Sequence, residues 1–385
     1  TKKKNKKLTP YNVKKELPSM IELFSIESCS GHEDYVRIYI VEKLNSLAID
    51  LDIVFEIDDY GNVLITKGIP EDKGFYPCLM SHLDTVHSFT KDYEIIIKKA
   101  ADNKTRLQGK CAAKKKEFTT NIFGKEANLN NYEYSSDAGI GGDDFNGIWL
   151  CLKLLTELPI LKVVFTVEEE TGGFGAQALD LKFFDDVGYI IEGDRKGNSD
   201  LITDIFGSIC SEEFIRTIKP IMNKYKYFEE DGMFTDVDVL RTRGLEISCI
   251  NMSVGYYNPH SDAEYVIVED LLKATQFAKE CIILLGYKKY EFKLPAYKQS
   301  RYSYRHNEWD YYDNFYEHDD FDDFTYKSIK PTCKCSYGLT DVTCEEHNPT
   351  LKKYSGIICF CGEELQQKEL TYYCPYCNKH FIYEL

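Results

Sequence analysis

The sequence predicts an α/β fold: a central mixed, mostly parallel sheet with helices on both faces, followed by a small cysteine-rich C-terminal module. Three observations carry this expectation. The apolar runs FYPCLMSH (75–82), LKVVFTV (161–167) and ISCINMSV (247–254) are too continuous for a sheet wetted on one side, and suit strands buried on both faces. Segments with helical spacing of apolar residues lie between them, and alternating strands and helices imply a sheet covered by helices. Finally, seven of the 14 cysteines fall between Cys333 and Cys377, a clustering that signals metal or disulfide rather than packing.

Taken in order, residues 9–48 read as mainly helical, in at least two segments. Pro10 stands near the first start, and Val13, Leu17, Ile21 and Phe24 recur at helical spacing. Pro18 predicts a break or kink there. The next helix carries Val36, Ile40, Val41 and Leu44, with Ser30 or His32 near its cap. LDIVFEID (51–58), a turn at Asp59–Gly61 and NVLITKG (62–68) follow as strand, turn and strand. Residues 88–136 are polar and lysine-rich, with hairpin-like pieces such as YEIIIKK. The part at 98–116 reads as a solvated loop, the alternative being a site mouth that favours an anionic substrate. A helix starts near Asp144 and runs through GIWLCLKLLTEL. GYIIEGD (188–194) is a further strand, followed by a polar turn and LITDIF, and a helix at about 211–226 leads to ISCINMSV. VEDLLKATQFAKECIILLG (268–286) is an amphipathic helix with Leu271, Thr275, Ala278, Ile282 and Leu285 on one face and Gly286 as its cap.

Composition changes after about residue 290, which predicts a main domain over 1–290, an acidic and aromatic linker over 291–328 and a cysteine-rich module over 329–385. The run WDYYDNFYEHDDFDDF has no period and reads as solvated linker. The 385 residues suffice for one large core, and 43% hydrophobic with 29% charged residues is a globular balance. The net charge of −16 argues against nucleic acid and anionic membranes as partners. No apolar run approaches the ~18–20 residues that span a bilayer. The opening TKKKNKK lacks the apolar stretch of a secretory signal, so the expected compartment is the cytoplasm. Cys29, Cys78, Cys111, Cys151, Cys210, Cys249 and Cys281 are scattered singly and read as reduced, mostly buried small hydrophobes.

The chemistry-bearing residues recur at the C-terminal ends of the buried strands, the edge where open α/β sheets bind ligands. In Ser81-His82-Leu83-Asp84, residues two apart point to one side. A metal-binding imidazole usually donates its other N–H to a carboxylate or carbonyl, a supporting role open to Asp84. In Gly141-Gly142-Asp143-Asp144-Phe145-Asn146-Gly147 the glycines allow close backbone approach. Asp143 at the helix start is either a carboxylate bridging two cations or a plain N-cap. Glu168-Glu169-Glu170 directly follows a buried strand, where repulsion and desolvation disfavour three adjacent carboxylates unless cations are present. One can bind metal while its unbound neighbour handles protons. Glu192-Gly193-Asp194-Arg195 and Tyr256-Tyr257-Asn258-Pro259-His260-Ser261 complete the set. Alone, His260 would be ordinary structure. Together the five places supply two imidazoles and several carboxylates, and N/O donors without thiolate suit zinc, cobalt or manganese.

The segments SHLDTV, GGDDFNG, FTVEEETG, EGDRKG and GYYNPH, in this order, resemble the peptidase T, aminoacylase and carboxypeptidase G family of two-metal exopeptidases. The last two also resemble the related glutamyl aminopeptidases. The similarity covers roughly residues 9–287, and its weight lies in five motifs in order rather than in any one of them. The resemblance implies a phosphorylase/hydrolase-like zinc exopeptidase domain, two divalent metal ions and cleavage of a peptide or amide bond, as an aminopeptidase or a di/tripeptidase. It implies His82 and Asp194 on one metal, Glu170 and His260 on the other, and Asp143 bridging both. Asp84 would orient His82, and Glu169 would be the general base that takes a proton from water and returns it to the leaving amine. A shift by one place within the glutamate run, or Glu192 in place of Asp194, is the alternative alignment. A cis peptide at Asp143–Asp144 is also implied.

Two departures stand out. Only 66 positions separate Asp194 from His260, where relatives insert a lid domain that mediates dimerisation and supplies substrate-binding groups. The expectation is a chain without that lid and without a lid-mediated dimer. Phe145 also stands where relatives often have Lys. The substrate expected is a short peptide. An amidase or deacetylase of N-acyl small molecules is the rival, and a metal-retaining binding protein without turnover is a third reading, against which the presence of both Asp84 and Glu169 speaks. In the tail, Cys359-Phe360-Cys361 and Cys374-Pro375-Tyr376-Cys377 are separated by 12 residues and resemble the knuckles of a zinc ribbon. Cys333, Cys335, Cys344 and His347 offer a second set, so one or two structural zinc ions are expected, with free thiols or a disulfide as the alternative.

Overall fold

The computed structural model describes residues 11–89, 92–100, 102–116, 119–122, 125–128 and 133–293, and the segments 366–368, 371–374 and 379–382. The chain divides into two compact units, Thr1–Glu317 and His318–Leu385. It opens with helices α1 (Val13–Phe24) and α2 (Asp34–Ala48), then strands β1 (Ile53–Ile57), β2 (Val63–Lys67) and β3 (Tyr76–His82). Next come β4 (Glu94–Lys99), β5 (Thr105–Lys116), β6 (Thr119–Ile122), β7 (Lys125–Asn128) and β8 (Glu133–Ala138). α3 (Gly142–Glu157), β9 (Leu161–Thr166), α4 (Phe174–Ala178), β10 (Val187–Arg195) and β11 (Asp200–Asp204) follow. The first unit ends with α5 (Glu212–Tyr225), β12 (Phe228–Asp231), α6 (Asp236–Thr242), β13 (Ser248–Ser253), β14 (Tyr256–Tyr257), β15 (Tyr265–Ile267) and α7 (Val268–Leu285).

The central sheet runs β1-β2-β9-β3-β10-β13-β11-β12. β9, β3, β10 and β13 are mutually parallel neighbours, whereas β1, β2 and the β11–β13 pair are antiparallel. Burial on both faces explains the continuous apolar runs. Leu79, Val163, Phe165, Ile191 and Ile250 face one core, which α1, α2, α3, α5 and α7 cover. Cys78, Met80, Val164, Ile190 and Cys249 face a second core under α4 and α6. Because the four central strands run the same way, they deliver their C-terminal ends to one edge. Register fixes the neighbours there: His82 pairs with Thr166, and Glu192 with Met80.

A second sheet has the order β14-β15-β5-β4, with β8 paired to β5. The stretch at 98–116, expected as a solvated loop, is therefore strand: β4 and β5 pair antiparallel from Glu94↔Lys110 to Lys99↔Thr105. Lys104 is not free there, since it pairs with Asp270 at 2.9 Å. Every strand between Asp194 and His260 from β11 to β13 joins the central sheet.

One further expectation is corrected. Pro18 does not break α1, which runs from Asn12, whose side chain accepts from the Lys14 N–H, to Phe24. The ring costs one carbonyl its partner, but Met20, Leu23 and Phe24 beyond it are buried, and their packing carries the helix through. His32 and Ser30 stand just before the start of α2, near its cap as expected: the cap position is Glu33, without a side-chain cap bond, and the Ser30 hydroxyl donates to Asp84 at 2.7 Å. α7 ends as expected at Gly286, whose N–H bonds to the Ile282 carbonyl. Of the singly scattered cysteines, Cys29 and Cys111 are half-buried and the other five buried, and all seven are free thiols. Among the described residues no helix is long and apolar enough to cross a membrane.

In the second unit, β16 (Gln366–Lys368), β17 (Thr371–Cys374) and β18 (Lys379–Ile382) form an antiparallel three-stranded sheet. The expected tail ligands Cys333, Cys335, Cys344, His347, Cys359, Cys361, Cys374 and Cys377 have no described side chains, and the linker expected over 291–328 lies almost wholly outside the described residues.

Candidate metal centre

His82 ends β3 with its imidazole buried. Nδ1 lies 2.9 Å from the Asp84 carbonyl and 3.3 Å from Asp84 Oδ1. With its proton on Nδ1, the ring donates to Asp84 and leaves Nε2 toward the site. Nε2 is 3.3 Å from Asp143 Oδ1 and 3.6 Å from Asp194 Oδ1. The other oxygen of Asp143, Oδ2, is 3.4 Å from His260 Nε2, which itself is 2.9 Å from Glu170 Oε2. Two donor sets result, His82–Asp143–Asp194 and Asp143–Glu170–His260, and in each the donor atoms all lie within 4.8 Å of one another. Asp143 belongs to both.

Elementary geometry tests whether cations fit. Donors ~2.0–2.1 Å from one tetrahedral cation are about 3.3 Å apart. The 3.3, 3.4 and 3.6 Å separations match such edges, and the 2.9 Å pair is close enough for a direct hydrogen bond. Buried His82 Nε2 and Glu170 Oε1 have no hydrogen-bond partner in the protein, an expensive arrangement for groups without a ligand. The residues present therefore fit two divalent cations held by nitrogen and oxygen.

Local structure explains why these side chains meet. Asp84 Oδ1 accepts the Glu169 N–H at 2.9 Å, and Oδ2 accepts the Glu170 N–H at 3.1 Å and the Ser30 hydroxyl. Asp84 thus sets both His82 and the glutamate turn. Glu168 faces elsewhere, accepting from the Tyr60 hydroxyl at 2.6 Å. Glu192 is buried and accepts from the Thr235 hydroxyl, while Asp194 stands in the cluster, its N–H bonded to Asn251. The Asp143–Asp144 peptide is cis. Phe145 points away from the site: it is fully buried and stacks on Phe24 at 6.2 Å.

The electrostatics are those of crowded carboxylates answered by imidazoles. Burial opposes ionisation of Asp143, yet the neighbouring imidazoles of His260 and His82 hold it well below the usual range. Asp84 is likewise held low by His82 and Ser30 against its burial. Burial and the Asp143 charge push Asp194 up to about 7. Hydrogen bonds with Asp143 and Glu170 raise His260 to about 10. His82 is also raised, its burial outweighed by Asp194 and the other carboxylates. Burial raises Glu169 well above the usual range, and Asp194, Asp236 and Glu170 add to it against the pull of His82.

Two acidic residues near the site were not singled out in the sequence. Glu264 is fully buried and accepts the N–H groups of Ile140, Gly141 and Asp143. Its one signal is a position four residues past His260. Asp236 opens α6, accepts from the Thr166 hydroxyl, and keeps Oδ1 unpartnered. Burial pushes it up to about 6. Nothing in the local sequence announces it.

No family model and no curated protein matches the sequence. Solved structures do match. The aminopeptidase PepT from Bacillus cereus aligns with TM-score 0.52 and 14% identity over 70% of this chain and 98% of that one. A tripeptidase from Staphylococcus aureus aligns at 0.50 and 14%, over 71% and 98%. An aminopeptidase from the archaeon Desulfurococcus kamchatkensis aligns at 0.50 and 16%, over 71% and 96%. At these identities the likeness speaks for the fold: this chain has the zinc exopeptidase-like α/β fold of the peptidase T and tripeptidase structures.

Proposed function

We propose that this protein is a two-metal hydrolase that cleaves short peptides, as an aminopeptidase or a di/tripeptidase. One observation carries the reading: the two oxygens of Asp143 face two different histidines, at 3.3 and 3.4 Å, each with a further carboxylate beside it. The exopeptidase-like fold supports it. His82 and Asp194 would hold one cation, Glu170 and His260 the other, with Asp143 shared. Zinc, cobalt and manganese suit such donors. When bound, the pair of cations supplies Lewis acidity and makes water a nucleophile near neutral pH.

The chain's own residues supply the remainder. Glu169 ligates in neither donor set and stands next to one that does, with its N–H anchored on Asp84. Its carboxylate takes the proton of the attacking water and passes it to the departing amine nitrogen. Its burial favours the protonated carboxyl between those two transfers. Asp84 keeps the His82 tautomer that exposes Nε2.

The test joins metal analysis of the purified protein to a screen of short peptides and N-acyl amino acids. Turnover of peptides that stops with a chelator and returns with zinc, cobalt or manganese is expected. Glu169→Gln should retain its metal and lose ~10² or more in rate. Turnover confined to N-acyl amino acids would replace the peptide with a non-peptide amide. Metal retained without turnover of either class would leave a binding protein, and wild-type rate in Glu169→Gln would remove the assigned base.

A further inference from the structure

We infer that Glu264 is a positioning residue for the shared carboxylate, locking Asp143 in place relative to His260; the inference rests on the two-cation reading above. A fully buried carboxylate is costly unless its oxygens are satisfied, and both oxygens of Glu264 are spent on one distant turn. Oε1 accepts the N–H of Asp143 itself at 3.0 Å. Oε2 accepts those of Ile140 at 3.1 Å and Gly141 at 2.8 Å. Gly141 is in the left-handed region (φ 67°), and Asp143 follows at φ −87°, ψ 98°, outside the helical range. Those angles aim the Asp143 side chain, and the three N–H bonds hold them.

The clamp and a ligand share one short turn. His260 and Glu264 lie between β14 and β15, so a shift of that turn carries Asp143 with it and preserves the 3.4 Å approach of Asp143 Oδ2 to His260. The packing around the clamp leaves little slack. A Cβ on Gly142 would fall 2.7 Å from both Tyr256 Cβ and Val266 Cγ2, on the same hairpin. A Cβ on Gly139 would fall 2.0 Å from His87 Cε1, and the His87 Nε2 sits 2.9 Å from Glu264 Oε2. His87 belongs to the segment that follows His82 and Asp84, so Glu264 meets all three chain segments that carry the shared carboxylate and the histidines.

A purely structural anchor and a positioning residue predict different outcomes for Glu264→Gln, which keeps the shape but turns one acceptor into a donor facing an N–H. Metal-free wild type and variant are compared by circular dichroism and thermal unfolding, then titrated with cobalt at a temperature where both are folded. The expected result is a folded variant whose cobalt affinity drops ~10–100-fold, the usual cost of losing a group that orients a ligand, with a changed visible cobalt spectrum. Glu264→Asp, which keeps both oxygens, should recover part of the affinity, and it takes over the test if the glutamine variant does not fold. A folded variant with wild-type cobalt affinity and spectrum, whatever its unfolding temperature, overturns the inference and leaves the two-cation reading standing. Wild type that takes up no cobalt overturns both.

Discussion

The two donor sets that share Asp143 are built in different ways. In the first, His82 and Asp194 come from adjacent parallel strands, and their side chains are 1% and 10% exposed. The parallel pairing of those strands brings both to one edge, where Asp84 orients His82 and the Asn251 side chain accepts the Asp194 N–H. In the second, Glu170 stands in the turn after β9, and His260 adopts a left-handed backbone (φ 57°) with its side chain 55% exposed. Turns need anchors that register does not provide, and here the anchors are carboxylates, Asp84 under the glutamate turn and Glu264 beside His260. The contrast teaches that the first set is buried throughout, while the second adds one exposed ligand, His260, to the nearly buried Glu170 and Asp143.

The largest effect that would sharpen this contrast is removal of the shared member. Asp143→Ala should remove both equivalents of metal held at this site, leaving only what the cysteine-rich tail binds, and lower activity to background, because the two donor sets share that one side chain. Retention of either equivalent would mean that the sets are independent. Next, His260→Ala should release the exposed ion and keep about one equivalent in the buried set. Loss of both ions, measured by atomic absorption on folded protein, would break the distinction drawn here.

Acidity gives the third test. Protons and cations compete for the same donors. Asp194 is raised to about 7 and His260 to about 10, so at neutral pH both retain protons that a cation must displace. Raising the pH through 7 removes the competing proton from Asp194, and apparent affinity increases; lowering it to 6 weakens binding in both sets. Calorimetric titrations in buffers of different ionisation enthalpy should show proton release on cation uptake, and uptake without release would contradict the assigned donors. The smallest effect is expected for Ser30→Ala, which removes one hydrogen bond to Asp84. It should cost about 1 kcal/mol in a urea unfolding curve while leaving metal content unchanged.

Much of this was legible in the sequence because it was local. A strand buried on both faces writes a continuous apolar run, and β3, β9 and β13 stand where FYPCLMSH, LKVVFTV and ISCINMSV predict them. Charged residues at the ends of such runs then fall at one edge as soon as the strands are parallel. What stayed hidden depends on partners far along the chain. The N–H groups that satisfy Glu264 are more than 120 positions away, and no local pattern records them. Asp236 reaches Thr166 across 70 positions. Pro18 misleads for the same reason, since local preference argues for a break and distant packing overrules it. The 98–116 stretch misleads because its lysines suggest solvent, although Thr105, Leu107 and Gln108 are buried.

The most direct test is anomalous diffraction at the zinc edge from crystals grown with zinc. The account predicts two peaks about 3.5–4 Å apart on either side of Asp143, one between His82 and Asp194 and the other between Glu170 and His260. A single peak there, or none, would contradict it.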